Sequence, residues 1–366
     1  MKYEYELIDD LIPHILDADE HWWQSHLAEL ATVSQAWLYY VRKRLYACPD
    51  IRTFGGVQKL ADTVERNEYL GTLVRGISLQ PLMSNSPEPV WRGMGGARKG
   101  IRILLGLEGL KKITLGGDMG VKADRYIRYI GNPEGVEEMH LNGSRQLIWP
   151  RVVAWDEMLT FGFPRLKRIR LSEVDVDVSI GSVPYPASFT ELILEDVHIM
   201  YGRVVQLLNG ATWLRCLHVT VGNYGLVDEE QLREVLASCA VECLHYEMRK
   251  SSGGWNPFSG LGEESGRHVR CLHLEGHLMD GGTLDTLREV FCNVEELVVG
   301  GRLVGVAAGE WAEFVGSGAL GSLRRLGLPG GTNRPPYGQW TVAEMEDIRA
   351  ACVKQGIRSI DRGKVI

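Results

Sequence analysis

The chain has 366 residues, 47 acidic against 40 basic, a net charge of −7, and 45% hydrophobic residues. That composition carries a substantial core and excludes disorder, a collagen-like repeat and a disulfide scaffold. At about 150 residues per domain, the length suits two to three domains or one elongated array.

Excess acid without a dominant basic block argues against general nucleic-acid binding, which depends on neutralising phosphates with Lys and Arg. No run of 18 apolar residues is present to cross a membrane. The seven cysteines (48, 216, 239, 243, 271, 292 and 352) are odd in number and form no Cys-x-x-Cys pair. Free thiols in a reduced compartment are the simplest reading. Met1-Lys2-Tyr3-Glu4-Tyr5-Glu6 is too polar for a secretory signal, and its two acids argue against a mitochondrial leader. The expected localisation is cytoplasmic, nuclear or both.

Residues 1–48 read as a helical unit. Apolar positions at Leu7, Leu11, Ile15 and Leu16, then Leu27, Leu30, Val33, Trp37, Leu38 and Val41, recur at gaps of three and four, which places an apolar stripe on each helix. Trp22 and Trp23 lie between the stripes, and Arg42, Lys43 and Arg44 fall where cations suit a helix C-terminus. Some 40 residues cannot make a self-sufficient core, so the unit should lean on the rest of the chain or on a partner.

The stretch Leu7-Ile8-Asp9-Asp10-Leu11-Ile12-Pro13-His14-Ile15-Leu16, followed by Leu30-Ala31-Thr32-Val33-Ser34-Gln35-Ala36-Trp37, resembles an F-box. That family reads roughly Leu-Pro-x-Glu-Leu-x-x-x-Ile-Leu, then Leu-x-x-Val-Ser-x-x-Trp. Leu7, Leu11, Ile15, Leu16, Leu30, Val33, Ser34 and Trp37 match; Ile8 stands in place of the Pro and Asp10 in place of the Glu. The resemblance implies that these eight residues bind a Skp-type adaptor and, through it, a cullin. The plainer alternative is that they are core residues of a helical cap.

Residues 49–73 read as a connecting helical segment, and residues 74–366 as an array of about eleven irregular repeats. Segments of the form apolar-x-x-apolar-x-apolar begin at Val74, Leu110, Val136, Leu166, Phe189, Leu214, Val241, Val269, Val294 and Leu323, with a truncated copy at Ile357. Their mean spacing is about 28 residues, and pattern and period resemble leucine-rich repeats. Helix-like pieces lie between them, including Gln231–Leu236, Leu284–Phe291 and Val342–Ile348, the last with Thr341 as N-cap. The expected fold is α/β, a short helical F-box-like unit followed by a solenoid with one strand and one helix per repeat and a curved parallel sheet. The Asn usual after each strand in that family is missing, the column reading Asp118, Ser144, Val174, Val197, Gly222, Arg249, His277, Arg302 and Gly331. Curvature should therefore be irregular. A helical start of this kind before degenerate repeats resembles fungal F-box/leucine-rich-repeat proteins.

Strand side chains alternate between faces. With the pattern residues inward, the other face carries Arg168 and Arg170, Cys216 and His218, Cys243 and His245, and Cys271 and His273. Three Cys and three His would then form adjacent rows. Thiolates and imidazoles suit zinc, but a parallel sheet spreads them flat where zinc needs convergence, and repeat duplication alone accounts for the rows. Two loops, Ser251–Gly260 with Trp255 and Phe258, and Pro329–Trp340, follow strands directly. Each either overhangs the concave face or folds back to seal the core.

No HExxH, GxSxG or zinc-finger spacing occurs, and Gly93–Gly100 departs from both the P-loop and the dinucleotide fingerprints; it reads as a mobile loop. The expectation is a non-catalytic substrate receptor of a Skp–cullin–F-box ubiquitin ligase, with no cofactor and no metal. Its target protein would be held by Arg168, Arg170, His218, His245, Glu247, Trp255, Phe258, His273 and Glu275. The alternatives are a leucine-rich-repeat scaffold without ligase association, and metal or small-ligand binding at the Cys/His rows.

Overall fold

A computed structural model describes residues 2–18, 24–81, 94–143, 152–155, 162–178, 188–208, 213–222, 229–249, 258–276, 279–300, 305–328 and 340–360. The chain divides into two compact units, Met1–Asn142 and Gly143–Ile366.

The first unit opens with three helices, α1 (Lys2–Asp17), α2 (Gln24–Leu30) and α3 (Gln35–Ala47). Ile12, Leu16, Leu27 and Val41 fill their common core, and Leu30, Trp37, Tyr40 and Leu45 pack around it. Arg44 on α3 closes the bundle by an ion pair to Asp17 on α1, 2.7 Å. Four strands follow, β1 (Asp50–Ile51), β2 (Gly76–Leu79), β3 (Lys112–Gly116) and β4 (Glu138–Asn142), paired in that order and all parallel.

The helix Phe54–Arg66 joins β1 towards β2, and the helix Met94–Leu105 precedes β3. The second of these replaces the loop expected over Gly93–Gly100. Ala97, Ile101, Leu104 and Leu105 bury one face of it, and helical spacing of those residues outweighs the low propensity of the glycines. Gly100 permits the close approach: a Cβ there would stand 3.3 Å from the Ala61 Cβ and from a Val57 methyl on the facing helix.

The second unit contains β5 (Val152–Ala154), β6 (Arg168–Ser172), β7 (Asp175–Asp177), β8 (Glu191–Glu195), β9 (His198–Tyr201), β10 (Cys216–Val221), β11 (Cys243–Met248), β12 (Cys271–Glu275), β13 (Glu296–Gly300), β14 (Arg325–Gly327) and β15 (Arg358–Ile360). Its main sheet runs β6-β8-β10-β11-β12-β13-β14-β15, and β5-β7-β9 form a small second sheet. Every described pairing is parallel, which obliges each connection to cross over. Helices Glu229–Ser238, Gly281–Val290, Ala308–Gly316 and Val342–Lys354 lie in those crossovers. The protein is thus an α/β fold built on parallel strands, without a closed barrel among the described residues.

All eleven apolar-x-x-apolar-x-apolar segments carry a strand. In the ten full segments the second and third pattern positions, such as Leu217 with Val219 and Leu272 with Leu274, are buried. Two turns use left-handed backbone at non-glycine residues: Glu173 and Asp196, both at φ 53°, turn β6 into β7 and β8 into β9.

Candidate functional site

The main sheet of the second unit presents its half-exposed face at every second residue. On β10, β11 and β12, Cys216, Cys243 and Cys271 stand in register, and so do His218, His245 and His273. The intervening Leu217, Leu244 and Leu272 face the opposite way into the core. The His218 and His245 rings stack at 5.4 Å, 12° from parallel, and His273 follows at 5.7 Å and 53°. Ile193 on β8 and Val298 on β13 extend this row on its two sides.

Ion pairs bracket the rows. On the β6 side, Arg168 reaches Glu191 at 2.6 Å and Arg170 grips both carboxylate oxygens of Glu195 at 2.7 Å. The Ser172 hydroxyl donates to the same Glu195 carboxylate, 2.8 Å. On the other side, Glu296 lies 3.3 Å from His273 Nε2 and 2.6 Å from Arg325. Farther along the strands, Glu247 accepts from Thr220 at 3.2 Å and from Arg249 at 3.1 Å. Cross-strand charges of opposite sign stabilise the sheet locally and leave its centre to the Cys and His side chains.

Burial sets the protonation states of that centre. It lowers the His218 and His245 pKa values below the ordinary imidazole range, and the neighbouring imidazoles push His245 further down. It raises the Cys216 thiol, and it takes Cys243, flanked by two thiols, up to about 12. His218, His245, Cys216 and Cys243 are therefore uncharged at neutral pH, and the two imidazoles offer donors and acceptors on a flat surface. No group of three or more His, Cys, Asp or Glu among the described residues converges on a point where a metal ion could sit.

The structure thus gathers Arg168, Arg170, His218, His245, Glu247, His273 and Glu275 on one strand face. Trp255 lies outside the described residues. Phe258 is fully buried, edge-on to Tyr246 and Phe291, so of the two readings of its loop the folded-back one holds at this residue and its ring belongs to the core. Pro329–Gln339 also lies outside the described residues. The place of Ile193 in the His column follows from the repeat alignment, whereas Val298, readable from the same alignment, had escaped notice.

The second candidate surface lies on the N-terminal helices. Leu11, Ile15 and Val33 are 49%, 45% and 63% exposed, whereas Leu16 is buried. Leu30 and Trp37 pack half-buried on the bundle core. Ser34 caps α3, its hydroxyl accepting from the Trp37 N–H at 3.3 Å. Leu7 belongs to α1, but its side chain, like Trp22 and Trp23, lies outside the described set. Helix α1 is apolar over a wider arc than its own bundle uses: Ile12 and Leu16 face in, while Leu11 and Ile15, one turn apart, form a second ridge outside. Tyr39, about half exposed on α3, was not singled out by the sequence pattern.

The chain matches no protein-family model and no curated protein sequence.

Proposed function

We propose that the chain is the substrate-recognition subunit of a Skp–cullin–F-box ubiquitin ligase. In this reading α1–α3 form an F-box-like unit that binds a Skp-type adaptor. The strands and crossovers that follow form an irregular leucine-rich-repeat solenoid whose half-exposed strand face binds a target protein. The chain itself catalyses nothing; it brings the target to the ligase.

The observation that carries this reading is the exposure of Leu11, Ile15 and Val33. All three match the F-box pattern, and with Tyr39 they are large apolar residues that the described part of the N-terminal unit leaves uncovered. A helical cap needing only a core would bury such residues or replace them with polar ones. The ion pairs across the strand face are the complementary feature, since a largely neutralised surface suits protein contact better than it suits a highly charged ligand.

Purified adaptor and full-length chain make the test. Leu11→Asp with Ile15→Asp puts two charges where the adaptor would desolvate them. Because both positions are exposed, the variant keeps its thermal transition. Adaptor capture is expected to fall at least about tenfold. Equal capture by variant and wild type would remove the F-box reading and leave a leucine-rich-repeat scaffold without ligase association.

A further inference from the structure

In the first unit, far along the sequence from the N-terminal helices, the exposed side of the helix Met94–Leu105 meets the turn after the helix Ala123–Ile127. Three arginines gather there around one phenol. The Arg102 guanidinium carbon lies 4.8 Å from the centre of the Tyr129 ring and that of Arg128 lies 5.6 Å from it. Arg98 also faces the Tyr129 hydroxyl closely enough to act on it. All three arginines are exposed and Tyr129 is half-buried.

Elsewhere in the chain arginines meet carboxylates: Arg44 with Asp17, Arg168 with Glu191, Arg215 with Glu242, Arg270 with Glu295 and Arg325 with Glu296. At Tyr129 no carboxylate among the described residues pairs with Arg98, Arg102 or Arg128. Asp124, one helical turn before Arg128, makes no ion pair with it. Glu65 on the facing helix is taken by Lys99, 3.1 Å. Three like charges in one place repel, and stacking on an aromatic face offsets only part of that cost. Each guanidinium also carries five N–H donors, of which Arg128 uses its Nε on the Arg125 carbonyl, 2.9 Å.

We infer that Arg98, Arg102 and Arg128, held around Tyr129, form a binding site for a phosphate monoester. Guanidinium forks match the geometry of phosphoryl oxygens and bind them in pairs, a fit that a single point charge lacks. The phenol supplies a rigid platform that fixes two of the arginines before the ligand arrives. It also reports the local field: burial of its ring raises its pKa, but Arg98 beside its hydroxyl and the charges of Arg102 and Arg128 outweigh that and bring it down. An added oxyanion would meet the same stabilisation.

The test is calorimetric titration of the full chain at fixed ionic strength with O-phospho-L-serine, inorganic phosphate and, as control, L-serine. Saturable binding of phosphoserine and none of serine is expected. Inorganic phosphate binding as well as phosphoserine would mean that the phosphoryl group alone is recognised. Binding confined to phosphoserine would mean that the ester is required, and both results carry the site. Arg102→Ala and Arg128→Ala are each expected to weaken binding about tenfold or more, the loss of a charge-assisted contact. Arg66→Ala, on the facing helix, leaves it unchanged. All four arginine side chains are exposed, so an unchanged thermal transition verifies the fold of each variant. Absence of saturable binding by either phosphate ligand, or equal affinity in the Arg102→Ala and Arg128→Ala variants, would overturn the inference.

Discussion

His218 and His245 stack face to face across adjacent parallel strands, their ring centres 5.4 Å apart and their planes within 12°. Two imidazolium ions at that distance would repel, and both rings are partly removed from water, so the pair is built for the neutral state. His273, the third ring of the row, has Glu296 as a neighbour, 3.3 Å away. The row therefore grades from a paired, desolvated end to one beside a carboxylate.

The first prediction concerns pH. Folding lowers the pKa of His218 and His245, chiefly by burial. The unfolded chain, with histidine near ~6.5, then binds protons more readily than the folded one. The two residues cost nothing above that pH, and stability is lost as pH falls from about 6.5 through their lowered folded values. Urea midpoints measured from pH 8 to pH 5 should decline more steeply in wild type than in His245→Gln, which lacks one titrating ring and the repulsion it brings. Parallel declines would mean that the rings titrate as free histidines.

A second prediction tests which face is core. Leu272 is wholly buried on β12, one residue away from the half-exposed His273. Leu272→Ala should lower stability by about 2–5 kcal/mol through lost transfer energy and a cavity. His218→Ala, on the open face of β10, should stay within about 1 kcal/mol. Denaturation that ranks the histidine change as the more damaging would invert the assignment of the faces.

Much of this arrangement was legible in the sequence. A buried side chain at alternate positions, repeated at a steady spacing, located eleven strands and set the Cys and His columns in their observed register. The N-cap at Thr341 was readable too; the structure adds Glu344, which accepts from the Thr341 N–H at 2.6 Å and completes a capping box. The small sheet β5-β7-β9 was not legible. Its strands are three or four residues long, and each brings in a single buried centre, Val153, Val176 or Ile199, too few to show a period. The turns into β7 and β9 rest on left-handed backbone at Glu173 and Asp196, where no glycine marks it. On the N-terminal helices the apolar positions were legible, but not which ridge is buried: Ile12 with Leu16 and Leu11 with Ile15 have the same spacing, and only packing tells them apart.

The third prediction concerns thiol reactivity. Cys243 sits between Cys216 and Cys271, and burial with those neighbours pushes its pKa up to about 12. At pH 8 its thiolate fraction is then ~10⁻⁴, and the thiolate is the species that alkylates. Cys292 is exposed, whereas Cys239 and Cys352 are buried. Iodoacetamide labelling followed site by site with mass spectrometry should modify Cys292 first, with Cys243 at least ~100-fold slower. Comparable rates at the two sites would show that the Cys row is open to water and its thiols ordinary.

The fourth prediction separates two roles for Ser34. Its position matches the F-box pattern, which would make it a contact for the adaptor, yet its hydroxyl caps α3 by accepting from the Trp37 N–H, 3.3 Å. Loss of an N-cap hydroxyl costs about 1 kcal/mol, and α3 carries Val41, one of the four buried residues of the bundle. Ser34→Ala should therefore lower the stability of the N-terminal helices by that amount and weaken adaptor capture only as far as the bundle loosens. Ser34→Asp keeps a capping oxygen and adds a charge that suits a helix N-terminus, so it should restore the stability. If capping is the whole role, Ser34→Asp also restores capture. If the hydroxyl touches the adaptor, the added charge is desolvated in the complex, and capture stays low although the melting curve recovers. Helicity, thermal midpoint and adaptor capture measured on the three proteins decide between these outcomes.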